Sequence, residues 1–233
     1  VKYSKTGTNN TAIGFEALST EDAHGSNTAV GYQSLKTQNA GANAGNTAVG
    51  FQSGFDMTTG HSTTLVGTIA LGTETSGGKN TAFGSSALAA LNRTTDAVNT
   101  AVGFDAGKSI STGSENTIIG GETGDALTVG QSNVAVGNQA LSTDQNGSRN
   151  VAVGATALKN HEAAGSTSNN TYNIGIGYGA LEGLTDSHSN TVVGSNAMNI
   201  ATSSNTYNTV VGINAANNMS TSSSYNTCIG GHA

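Results

Sequence analysis

The chain has 233 residues, of which 9% are charged and 35% hydrophobic, with 33 Gly, no Pro, no Trp and a formal charge of −6. A soluble domain is usually roughly a quarter charged, so an ordinary globule is excluded, while the scarcity of charge and the absence of Pro set the chain apart from common disordered sequences. Single, scattered Lys and Arg exclude the basic footprint of a nucleic-acid or polybasic membrane binder, no apolar run nears the ~20 residues of a membrane span, and Cys228 alone makes no intrachain disulfide.

Order must therefore come from regularity. The chain opens almost inside its first repeat, as expected of a segment of a longer protein. One pentad, Asn-Thr-Ala-(Val/Ile)-Gly, recurs thirteen times across residues 1–233, which read as one repetitive domain. It begins at Asn10, Asn27, Asn46, Thr63, Asn80, Asn99, Asn116, Asn133, Asn150, Asn173, Asn190, Asn208 and Asn226. Seven of the twelve steps are 17 residues, and the others are 18, 19 or 23. The fifth position is Gly in every copy, which predicts a backbone with φ > 0 or a contact with no room for Cβ. A small residue and then Leu follow three and four residues later, as in Ala17-Leu18, Ser34-Leu35, Ala87-Leu88 and Ala157-Leu158. A polar stretch of variable length closes each repeat, and the extra residues of the long steps fall there, as in 36–45 and 159–172.

The Thr- and Val-rich pentad predicts a short strand, and the recurring Gly, Asn, Ser and Thr oppose helix. One strand, one Gly corner and a second segment near Ala-Leu make one coil of a parallel β-solenoid. About thirteen coils, ~4.8 Å apart, give a rod on the order of 60 Å. Stacking places Asn above Asn and Val above Val, in ladders. Strand alternation puts Thr and Val/Ile on one face and Asn and the third-position Ala on the other. The apolar fourth position predicts that the Thr–Val face points inward and that its ladder fills the core. Charge is absent from both faces, so both are expected to be buried. One Val/Ile and one Leu per coil do not offset the ordering of 17 residues, which predicts packing between chains.

No catalytic constellation is present, so the expectation is a non-enzyme without cofactor or metal. His24, His61, His161, His188 and His232 lie outside the strands and read as solvated. Asp and Glu read as solubilising groups. Gly175-Ile176-Gly177-Tyr178-Gly179 has the look of a dinucleotide loop but is a copy of the repeat with no βαβ context. Cys228 fills the third-position slot as a small hydrophobe. Phe15, Tyr32, Phe51, Phe104 and Tyr178, just after the Gly, read as corner packing between coils, with stacking on sugars as the alternative. Tyr172, Tyr207 and Tyr225 precede the pentad and are expected to cover the end of the core. Thr fills the second position in ten of thirteen copies; a flat Thr row could bind ice, but the expected inward orientation argues against it. A hexapeptide acyltransferase solenoid does not match a 17-residue period.

The strings Gly113-Ser114-Glu115-Asn116-Thr117-Ile118-Ile119-Gly120, Ser26-Asn27-Thr28-Ala29-Val30-Gly31 and Ser132-Asn133-Val134-Ala135-Val136-Gly137 resemble the head repeats of trimeric autotransporter (YadA-like) adhesins. The period of 17 is longer than that family's, and the fuller string from Asn27 to Leu35 is more similar to repeats of phage tail-fibre-like proteins. The resemblance implies a left-handed β-roll trimer. The expectation is a homotrimeric, extracellular fibre segment on a virion or cell surface. It would be structural and adhesive, partnered by its own copies and by host-surface glycans. An extracellular filament subunit and a glycan- or ice-binding solenoid are the alternatives.

Overall fold

The computed structural model describes residues 7–21, 25–162, 169–200, 205–219 and 222–233. It is all-β, a parallel β-solenoid in which thirteen three-residue strands recur at the pentads, with no helix among the described residues. The chain forms two compact units, Val1–Glu115 and Asn116–Ala233.

The first unit carries β1 (Thr11–Ile13), β2 (Thr28–Val30), β3 (Thr47–Val49), β4 (Thr64–Val66), β5 (Thr81–Phe83) and β6 (Thr100–Val102). Each pairs in parallel with the next, and like positions align, as in Thr11 with Thr28 and Ile13 with Val30. The second unit carries β7 (Thr117–Ile119), β8 (Val134–Val136), β10 (Val151–Val153), β12 (Ile174–Ile176), β13 (Thr191–Val193), β14 (Thr209–Val211) and β15 (Thr227–Ile229) in the same register. Its long 150–173 step adds a second small sheet of β9 (Gly147–Ser148) and β11 (Asn169–Asn170).

Strands of three residues hold because the ladder continues around the corners. Gly31 N–H donates to Ile13 O at 2.7 Å, Gln33 N–H to Phe15 O at 2.8 Å and Leu18 N–H to Ser34 O at 3.0 Å. The pentad Gly turns the corner at φ between 129° and 149°. A Cβ on Gly31 would collide with the carbonyl of Gly50 one coil on, so the conformation and the close approach both demand Gly. The remaining corners are left-handed residues just before the pentad, two after its Gly and at the Leu, for example Ser26, Gln33 and Leu35 (φ 65°, 55° and 47°).

The core lies inside each coil and is thin. Third-position Ala29, Ala48 and Ala82 face Leu18, Leu35 and Leu88, all essentially without exposure. Where Gly replaces the Leu, a neighbour fills the space: a Cβ on Gly54 would touch Leu65 and Leu35, and one on Gly124 would touch Ile118. Compensation of this kind keeps the core filled from coil to coil.

Candidate functional site

The strand face is the first candidate surface. It is reversed from the sequence expectation. The third position turns inward, whereas Ile13, Val49, Phe83 and Ile119 are 59%, 36%, 54% and 38% exposed. The second-position Thr residues are likewise exposed or half-buried. The cause is the pentad Asn. Asn27 Oδ1 accepts the backbone N–H of Asn46 at 2.9 Å, and Asn46 Nδ2 donates to Gly60 O at 2.8 Å. Except at Thr63, where the Asn is replaced, this ladder stitches coil to coil from inside, where no water competes. With Asn inward, alternation sends Thr outward, Ala inward and Val outward.

Each unit thus presents an uncharged strip of parallel strands in register. In the first unit the second position is Thr in all six strands. In the second, Val134, Val151 and Ile174 replace it in three adjacent strands.

Phe15, Tyr32 and Phe51 continue the strip past the Gly corner. Their rings stack at 5.4 and 5.2 Å with interplanar angles of 13° and 8°. This is packing between coils. It turns ring faces toward each other and ring edges outward, which removes the flat face that a sugar needs. Gln33 Nε2–H donates to Glu16 and Gln52 Nε2–H to Gln33 in a polar ladder alongside. Tyr172, Tyr207 and Tyr225 do not cover the core as expected; they are 50%, 49% and 78% exposed. Tyr207 and Tyr225 stack at 5.1 Å, with His188 edge-on to Tyr207 at 5.3 Å, and Arg149 lies over Tyr172 at 5.6 Å. Each Tyr holds a left-handed corner that turns its side chain out of the coil.

A second feature escaped the sequence reading. The eleventh residue after each of the first ten pentad starts points into the core, giving Glu21, Gln38, Met57, Glu74, Leu91, Ile110, Leu127, Asp144, His161 and Leu184, each at most 1% exposed. Glu21, Glu74, Asp144 and His161 are therefore core groups, not the solvated residues expected. Asp144 Oδ1 accepts the N–H groups of Asn146 and Gly147 at 3.1 and 2.8 Å, and Oδ2 accepts from His161 Nδ1 at 2.8 Å. The Nε2 of His161 lies 3.1 Å from Ser187 O and 3.2 Å from Asn173 Nδ2. Burial pushes the His161 pKa down, but the hydrogen bond and charge of Asp144, the Ser187 carbonyl and Asp186 together carry it above its usual value. Glu74 Oε1 accepts the amides of Gly77 and Arg93 at 2.9 and 3.0 Å, while Oε2 is buried without a partner. Burial raises its pKa against those two donors.

The other described histidines lie outside the core. His61 pairs with Asp96 at 3.2 Å beside Lys79, His232 is exposed, and His24 lies outside the described residues. No group of three or more His, Cys, Asp or Glu among the described residues could hold a metal. Gly175 to Gly179 form β12 and its turn. Cys228 takes the inward slot beside buried Val210 and is half-exposed. No described helix is long and apolar enough to cross a membrane. No family model matches the chain, and neither a curated protein nor a solved structure matches it.

Proposed function

We propose that this chain is a structural and adhesive segment of a surface-exposed homotrimeric fibre, such as a phage tail fibre or a bacterial trimeric adhesin. It acts as a rigid spacer outside the cell without catalysis or cofactor. Its partners are its own copies and, through its variable loops, host-surface glycans. The observation that carries the reading is the outward strand face: uncharged, in register, lined by Val and Ile and bordered by aromatic edges. Contiguous exposed apolar surface of this kind marks an interaction site, and copies of the same chain offer a matching flat, uncharged face. Solenoids suit a spacer because each coil contacts only its neighbours. Sedimentation equilibrium tests the reading. A mass three times the 23.0 kDa chain, stable to dilution, is expected, and a single-chain mass removes it.

The uninterrupted outward Thr row of the first unit favours a second reading, an ice-binding face. Regular hydroxyls and methyls on a flat strip would then meet water instead of another chain. Thermal hysteresis in dilute solution, together with a single-chain mass, would establish it; a trimer without hysteresis disposes of it.

A further inference from the structure

In the second unit the strand face carries one break in its repeat. Along β7, β13, β14 and β15 the two outward positions are Thr and Val or Ile, but β8, β10 and β12 carry Val134 with Val136, Val151 with Val153, and Ile174 with Ile176. These strands are consecutive in the sheet, with Val134 beside Val151 beside Ile174 and Val136 beside Val153 beside Ile176. The result is a two-by-three block of β-branched apolar side chains without a hydroxyl. Its border is polar and aromatic: Arg149 lies over Tyr172 at 5.6 Å.

A face built only of identical Thr/Val coils poses a problem for side-by-side assembly. Sliding one copy past another by a single coil, about 4.8 Å, would exchange like contacts for like. Register is weakly specified on such a surface and needs a distinguishing feature. We infer that the Val134–Ile176 block is the register-setting contact between copies of this chain, the occupant being the same block of a second copy at the same level. This rests on the self-association reading above. Aligned copies bring six apolar side chains against their equivalents in a dry patch inside a polar rim. A slip of one coil sets Thr117 or Thr191 against the block and buries a hydroxyl with no partner.

The test is the triple variant Val134→Thr, Val151→Thr, Ile174→Thr. Thr stands at this position in ten of the thirteen copies, so the coil tolerates it; circular dichroism verifies the fold. Association is read by sedimentation over a dilution series. Register is read by inter-chain spin-label distances at Gln131→Cys in a Cys228→Ala background. The unsubstituted block is expected to give one narrow distance. The triple variant is expected to associate more weakly, by about tenfold or more, and to give several distances separated by coil steps of ~4.8 Å. An associated triple variant with unchanged affinity and one narrow distance overturns the block's role and leaves the fibre reading standing. A single-chain mass with the native block removes both.

Discussion

Asp144 and His161 sit one above the other in the core, Oδ2 2.8 Å from Nδ1, with neither side chain exposed. The same column holds Leu127 in the coil before and Leu184 in the coil after. Position therefore does not require polarity; the pair exists because each member supplies what the other lacks.

A raised His161 pKa makes stability depend on pH. Its contribution is fully present below the ordinary value of 6.5 and is lost as pH rises through the higher folded value. The thermal unfolding midpoint should fall as pH rises above about 6.5. Replacing both residues by Leu should flatten that slope and change stability by about 0 to +4 kcal/mol, because a buried pair gains little over a packed apolar one. His161→Ala alone should cost about 3–5 kcal/mol by stranding the carboxylate. A pH-independent midpoint in the unsubstituted chain contradicts this account.

Glu74 should be improved by an amide. Its Oε2 is buried without a partner, whereas Gln38, in the same column, donates from Nε2 to Gly60 O at 3.2 Å and accepts from Asn46 at 3.2 Å. A raised carboxyl pKa means that the folded state favours the proton, so stability is greatest at acid pH and is lost as pH rises through the folded value. Glu74→Gln should raise neutral-pH stability by about 1–2 kcal/mol, read as a higher urea midpoint with unchanged slope.

The Asn ladder should be costly to interrupt. Asn133 Oδ1 accepts the Asn150 amide at 2.9 Å, and Nδ2 donates to Gly147 O at 2.9 Å and Asn116 Oδ1 at 3.1 Å. Asn133→Ala strands buried partners on both sides and should cost about 2–5 kcal/mol by denaturant titration. A loss below about 1 kcal/mol would show that the ladder follows the fold and does not hold it.

Val98 offers the opposite case. It holds a left-handed corner at φ 56° with its side chain 52% exposed. A β-branched residue is strained there. Val98→Asn should stabilise by about 1 kcal/mol with no loss of packing, visible as a higher urea midpoint.

The repeat, the strand and the Gly corner were legible because each depends on residues at fixed offsets. The Leu row was legible for the same reason. The facing was not. Val and Ile signal burial by composition, yet the Asn at the pentad start claims the interior, and alternation then decides where Val30 and Val49 point. The polar column was hidden because Glu21, Gln38, Glu74, Asp144 and His161 fall in a stretch whose length varies and whose residues read as loop. Their offset of eleven from the pentad start is constant, and that spacing, with Leu91, Ile110 and Leu127 at the same place, was the available signal. The outward turn of Tyr207 and Tyr225 depends on left-handed corners at non-Gly residues, which composition does not announce.

The most direct test of the central claim is the accessibility of the strand face in the native protein. Val49→Cys, on that face and 36% exposed in the single chain, is compared with Asn92→Cys at an exposed position outside the strands, both in a Cys228→Ala background. If copies of the chain cover the face, a maleimide reagent should label Val49→Cys far more slowly than Asn92→Cys, and the two rates should converge once urea separates the chains. Equal labelling of the two native proteins would mean that the face meets solvent, and would contradict the fibre account.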